Sequence, residues 1–221
     1  MSSVIDNMLR EKEKETKAHL QNLEVADRNL RSVSSRSILI VSKAATIIML
    51  YGCVEAVVSE AFSFLGKDIE SRKLKYPQLS DKIQEEWVKS TLSYTTAHEM
   101  SHALYLRRAR EIAKASVSAV SFNGRALMSS GNIDGEVLKR HCERYGIHFD
   151  IRGLEGEMST LNEIREVRNN LAHGDISFYE YGRNITLNDL KEKQKQVFTV
   201  LTHFSCSFIK YIQEERHVKR K

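Results

Sequence analysis

Arg168-Asn169-Asn170-Leu171-Ala172-His173-Gly174 sets a permanent cation and a titratable imidazole in one short run, with four residues between them. An Arg and a His that converge on one point can bind a phosphodiester, the Arg offering fixed charge and the His a proton at neutral pH. On a straight helix, residues five apart differ by roughly 140° around the axis, so convergence requires the helix to stop between them. Gly174 is expected to supply that stop, leaving His173 at a helix C-terminus where the dipole favours imidazolium. The plainer reading is a helix end whose His complements the dipole and whose Arg is surface charge.

A second run, His98-Glu99-Met100-Ser101-His102, has the spelling H-E-x-x-H. It would place two imidazoles one turn apart on a helix face, with a Glu beside them to activate zinc-bound water. A zinc hydrolase needs a third ligand, for which Glu111 and Glu136 are only nominal candidates, so two histidines on an amphipathic helix is the preferred reading and no metal site is expected. The cysteines Cys53, Cys142 and Cys206 are odd in number and far apart, which suggests neither a disulfide framework nor a Cys-based zinc site.

Glu55 lies in the most apolar stretch of the chain, and a carboxylate taken out of water must find a cation or hydrogen-bond donors. Arg168 is the expected partner, the alternative being a Glu at the helix edge with access to water. Trp87, Tyr94 and Phe178-Tyr179-Tyr181 have faces on which bases stack, although packing accounts for most aromatic side chains.

These residues need positioning, and the composition says by what. One Pro in 221 residues, with 41% hydrophobic and 29% charged residues, fits a mostly α chain able to bury a core, read as a single domain over 1–221. The first segment carries Ile5, Met8, Leu9, Leu20, Leu23, Ala26 and Leu30 as a narrow stripe on a long helix, with the charged run Arg10 to Lys17 in solvent. The second, about Ser37 to Leu65, is apolar nearly all round and reads as the central helix of a bundle whose neighbours cover every face. Ser80-Asp81 caps a short helix carrying Trp87, and helix resumes near Thr96 toward Ala115.

Six of the ten glycines lie between Gly124 and Gly156, so the middle is punctuated into short pieces. Asp134 caps a helix ending at Tyr145 before Gly146, and another helix runs from about Gly153 to Ala172 with Gly174 just past its end. Ile176 to Tyr179 and Asn184 to Thr186 are the one place where a hairpin across Tyr181-Gly182 is expected. Thr186 and Asp189 form a capping box ahead of a last long helix marked by Leu187, Leu190, Val197, Leu201, Phe204, Phe208 and Tyr211.

Net charge is +5 with pI near 9.0, a mild basic excess that permits an anionic partner without identifying one. Part of it sits in residues 216–221, expected as a solvated tail or a phosphate-contacting arm. Met1 to Val33 is charged throughout, unlike a signal peptide, and Lys43, Glu55 and Glu60 in the apolar stretch argue for a buried helix rather than a membrane span. A cytoplasmic protein is expected.

Nearly the whole chain resembles the HEPN superfamily of helical ribonucleases, in particular its MAE-type branch, related to the RiboL-PSP type. The resemblance rests on Leu50-Tyr51-Gly52-Cys53-Val54-Glu55-Ala56, Ser130-Gly131-Asn132-Ile133-Asp134, Tyr145-Gly146-Ile147, the Arg168 to Gly174 run and Asn188-Asp189-Leu190, of which Arg-Asn-x-Leu-Ala-His-Gly is the specific part. It implies a helical bundle with long N- and C-terminal helices, a homodimer, and cofactor-free, metal-independent cleavage of single-stranded RNA at a composite interface site. Arg168 and His173 become the catalytic pair, with Asn169 beside them and Glu55 in support. A toxin or phage-defence role, with an antitoxin or defence partner, is the implied setting. HEPN toxins silenced by nucleotidyltransferase antitoxins often carry Tyr two residues after the His, where this chain has Asp175. The remaining alternatives are an HEPN-like dimer that binds RNA or protein without cleaving, and a zinc peptidase built on His98, Glu99 and His102.

Overall fold

The computed structural model describes residues 3–29, 32–93, 102–122 and 132–219. Among these it contains eight α-helices: α1 (Ser3–Arg28), α2 (Val33–Ser71), α3 (Asp81–Ser93), α4 (His102–Ala115), α5 (Gly135–Tyr145), α6 (Glu155–His173), α7 (Phe178–Asn184) and α8 (Leu187–Gln213). A single 3₁₀ turn at Tyr76–Gln78 precedes α3, and extended pairing among the described residues is limited to isolated bridges. The expected mostly α, HEPN-like bundle with long first and last helices is what the chain forms. Two compact units are distinguishable, the first comprising Met1–Val58, Asn132–Leu138 and Asp150–Ser205, and the second Ser59–Gly131, Lys139–Phe149 and Cys206–Lys221.

The first unit is built on apolar stripes at helical spacing. Ile5, Leu9, Leu20 and Leu23 of α1, Ile47, Leu50, Val54 and Val57 of α2, Leu161, Ile164 and Leu171 of α6, and Leu190, Val197 and Leu201 of α8 are all buried. Thr16 departs from the expected solvent-facing run in α1. It is fully buried, donating back to the Lys12 carbonyl and accepting from the Gln194 amide at 3.0 Å, so one short hydroxyl among the charges is satisfied internally. His19 meets Thr46 at 3.0 Å in the same way.

The expected hairpin is absent, because residues 178–184 are helical. Ser177 caps the helix, its hydroxyl accepting from the Glu180 N–H at 3.0 Å. Gly182 lies inside α7 rather than in a turn, and a Cβ there would fall 1.9 Å from the Ile40 carbonyl oxygen. The glycine serves close approach of α7 to α2. The capping box forms as expected: Thr186 and Asp189 exchange backbone-to-side-chain bonds at 3.0 and 3.1 Å ahead of α8.

α2 begins and ends beyond the expected bounds, and its circumference is not covered all round: Ile38 is 65% and Val41 42% exposed. Asp134 caps α5 through the Val137 N–H at 2.7 Å, and Gly146, at φ 72°, ends it.

In the second unit Phe62 packs against Tyr145 and Phe208, with ring centroids 4.7 and 5.7 Å away. Trp87 is buried on α3 and donates to the Ser121 carbonyl at 3.0 Å, which makes it a packing residue rather than a stacking platform. The basic tail is not a free arm as far as Lys219. The Ser80 N–H donates to the His217 carbonyl at 2.9 Å, the Lys219 N–H donates to the Gln78 carbonyl at 2.8 Å, and the His217 side chain is fully buried. A chain end that pairs its backbone and buries a ring is held, whatever its net charge.

Candidate functional site

Tyr51 and Glu55 stand one turn apart on α2, and Arg168 of α6 reaches both. The Arg168 guanidinium donates to Glu55 Oε1 at 3.1 Å through one terminal nitrogen and to Asn169 Oδ1 at 2.7 Å through the other. Its carbon lies 4.0 Å from the centre of the Tyr51 ring, so the cation rests on an aromatic face while its edges are hydrogen-bonded. Three contacts of different kinds fix the plane of a side chain that would otherwise have many rotamers.

Asn169 has two roles because an amide both accepts and donates. Its oxygen takes the Arg168 bond, and its nitrogen donates to Asn132 Oδ1 at 3.2 Å, tying α6 to the segment ahead of α5. That segment is fixed again by Tyr51, whose hydroxyl accepts from the Ile133 N–H at 2.9 Å, and by Arg165 on Asp134 at 3.2 Å. Burial pushes the Tyr51 phenol up to about 12, with the neighbouring Glu55 acting in the same direction, so Tyr51 is a neutral support at physiological pH. Neither Tyr51 nor Asn132 was marked as a site residue by sequence. Tyr51 had a legible signal, its spacing of four from Glu55, whereas Asn132 is brought in only by tertiary structure.

His173 corrects the expected geometry. The helix does not stop between Arg168 and His173: α6 runs through His173, and Gly174, at φ 79°, ends it afterwards, its N–H bonded to the Asn170 carbonyl. The two side chains therefore keep roughly the 140° separation of an unbroken helix. Arg168 turns to α2, its side chain 22% exposed, while His173 is exposed and its imidazole makes no hydrogen bond among the described residues. Arg168, Asn169 and Glu55 are brought together within one chain; His173 is beside them in sequence and directed elsewhere.

Of the H-E-x-x-H run, His98 to Ser101 lie outside the described residues, and His102 opens α4. Glu111, a nominal third ligand, is paired with Arg108 at 2.7 Å. Among the described residues no group of three or more His, Cys, Asp or Glu side chains is arranged to hold a metal ion. Tyr94 also lies outside them; Phe178, Tyr179 and Tyr181 sit on α7, with Tyr179 46% exposed.

A protein-family model described as HEPN_MAE_28990-like HEPN matches residues 1–217. Neither the curated proteins nor the solved structures contain a match.

Proposed function

The chain belongs to the HEPN_MAE_28990-like HEPN family, and from that premise we propose an endoribonuclease that cleaves single-stranded RNA at a site shared by two copies of the chain. The observation that carries this reading is the fixed Arg168, held by Glu55, Asn169 and Tyr51 one helical segment away from an exposed His173.

The chemistry follows from that inventory. A ribose 2′-OH attacks its own phosphorus; the O2′–P bond forms as the P–O5′ bond breaks. One imidazole takes the 2′ proton and a second, protonated, gives one to the 5′ oxygen, while the guanidinium balances charge on the phosphorane. Each chain has one His in the motif, turned away from its own Arg168. A two-fold pair supplies the second imidazole and lets His173 of one copy approach Arg168 of the other. Products are a 2′,3′-cyclic phosphate and a 5′-hydroxyl, and DNA, which lacks the nucleophile, is spared. No step draws on a metal ion or cofactor, and a toxin or phage-defence effector is the setting such a nuclease suits.

Incubating the purified chain with single-stranded RNA in EDTA tests the reading. Cleavage to cyclic-phosphate ends by the wild type and not by folded His173→Ala is the expected result. The second reading, an HEPN dimer that binds RNA without cutting it, is favoured by the divergence of Arg168 and His173 within one chain. RNA binding without cleavage by the wild type would establish it in place of the first.

A further inference from the structure

Residues 132–135 are held one by one. Asn132 Oδ1 accepts from the Asn169 amide at 3.2 Å, the Ile133 N–H donates to the Tyr51 hydroxyl at 2.9 Å, the Asp134 carboxylate meets Arg165 at 3.2 Å, and the Gly135 N–H donates to Asn162 Oδ1 at 2.9 Å. A Cβ on Gly135 would fall 2.7 Å from the Met158 carbonyl oxygen, so the backbone itself lies against α6. Ile133, Asp134 and Gly135 are buried, and of the four only Asn132 is exposed. The cap of α5 needs Asp134 alone. The remaining anchors fix where the Asn132 side chain stands.

The polarity of that side chain follows from Arg168. A guanidinium has donors and no acceptor, so the Asn169 atom that meets it at 2.7 Å is the carboxamide oxygen. The Asn169 nitrogen is thereby turned to Asn132, and a donor must be met by an acceptor, so Asn132 presents its oxygen to the network. The Asn132 nitrogen is left outside it, with two N–H groups that make no hydrogen bond among the described residues. One cation orients two amides in series, and the series ends in an exposed donor.

We propose that Asn132 binds the RNA: its amide N–H groups donate to an acceptor atom of the strand whose scissile phosphate Arg168 holds. The inference rests on the nuclease reading above and adds a contact that the Arg168 and His173 pair does not supply. Water satisfies the same N–H groups in the free protein, so binding exchanges one partner for another and the gain is position rather than charge. Two kinds of atom in the strand offer the lone pair, a non-bridging oxygen of a neighbouring phosphate and a carbonyl oxygen or ring nitrogen on a base edge. A lone donor fits either, and the test separates them.

Asn132→Asp is the informative variant, because Asp keeps the oxygen that accepts from Asn169 and replaces only the outward donor by an acceptor. Asn132→Ala removes both and adds no charge. With the full-length chain and labelled single-stranded oligouridylate, each should raise KM roughly ten-fold, the scale of one lost hydrogen bond, and Asn132→Asp should leave kcat within about two-fold. Affinity for the same strand, measured in the His173→Ala background where nothing is cut, should fall by the same factor. A wild-type KM for Asn132→Asp beside a raised one for Asn132→Ala would reduce Asn132 to a tie between α6 and the segment ahead of α5. The opposite pattern would reduce it to repulsion by the new carboxylate, and either result overturns the proposal. Repeating the series with oligoadenylate identifies the acceptor: an equal factor on both strands assigns a backbone phosphate, and a factor that changes with the base assigns a base edge. The nuclease reading is scored apart. Cleavage that His173→Ala abolishes, with KM unmoved by both Asn132 variants, removes the contact and leaves the function. A wild type that binds RNA without cutting it, and loses affinity in both variants, does the reverse.

Discussion

Glu55 and Asp68 of α2 each anchor an ion-paired cluster, one in each unit, and the two clusters differ in access to water. Glu55 meets Arg168 at 3.1 Å with the two side chains 34% and 22% exposed. Asp68 meets His217 at 2.9 Å with the side chains 4% and 0% exposed, and also takes Arg72 Nε at 2.9 Å, while Arg72 Nη1 reaches Glu215 at 2.7 Å. Both clusters combine a carboxylate, a guanidinium and, nearby or within, an imidazole. The sealed one cannot receive a substrate, and its cost in desolvation is met by pinning the chain end to α2. The open one holds a guanidinium in place while leaving it reachable. Residue types alone do not separate a site from a structural clamp; access does.

The comparison breaks most readily on activity. His173→Ala and Arg168→Ala are each expected to lower RNA cleavage at least ~100-fold, the scale for losing a positioned acid–base or electrostatic group. His217→Ala, assayed on the folded fraction, should keep wild-type turnover. Initial rates on a labelled single-stranded oligonucleotide decide it, and equal losses at His173 and His217 would erase the distinction.

How much of this was legible depended on range in sequence. The capping box at Thr186 and Asp189 and the helix end at Gly146 are local, and sequence placed both. The Glu55–Arg168 contact joins distant residues yet was readable, because a carboxylate on an apolar helix must find a donor. The docked tail was not readable: His217 is buried by Asp68, Tyr211 and the turn before α3, none of which its basic neighbours announce. The hairpin failed because Gly182 was read as a turn glycine when it serves a close helix contact. At Gly174 both the stop signal and its place were right, a glycine in the left-handed conformation ending the helix just after His173; what failed was the inference that this stop separates Arg168 from His173 and lets them converge.

Stability should show the opposite ranking. Asp68→Ala leaves the His217 imidazole buried without its partner, and the expected cost is roughly 1–3 kcal/mol. Urea denaturation with an unchanged m-value would report it as a lower midpoint. An Asp68→Ala protein as stable as the wild type would mean that the sealed pair contributes nothing to holding the chain end.

A smaller, pH-dependent effect sharpens the same point. Burial holds the His217 imidazole below its ordinary value, with Arg72 adding to the shift and Asp68 opposing it; burial does the same to His141, with Arg144 adding. The unfolded chain therefore takes up protons from about pH 6.5 downward while the folded chain resists, so stability rises with pH across that interval. Denaturation midpoints should fall between pH 7.5 and 5.5, by less than ~1.4 kcal/mol per pH unit for each histidine. His217→Gln should flatten the slope in part, His141 supplying the remainder. A slope of the opposite sign would show that His217 is charged in the folded protein, stabilised by Asp68.

The smallest effect on stability belongs to Glu55, and it is the most discriminating. Glu55→Gln keeps the size and one acceptor oxygen but removes the charge that steadies Arg168; because both groups are partly exposed, the cost to folding should stay below about 1 kcal/mol. Asn169 and the Tyr51 ring still hold the guanidinium, so its displacement is partial and turnover should fall roughly ten-fold, less than the ~100-fold of a full misplacement. Removing a negative charge beside the phosphate should at the same time leave RNA binding unchanged or tighten it. The signature of a positioning carboxylate is thus a lower kcat, a KM that does not rise, and a pH–rate profile still set by the imidazoles. If Glu55 were itself the general base, Glu55→Gln would cost as much as His173→Ala and erase the acid limb of that profile. If the Glu55–Arg168 pair were structural like Asp68–His217, turnover would be unchanged and only the denaturation midpoint would move.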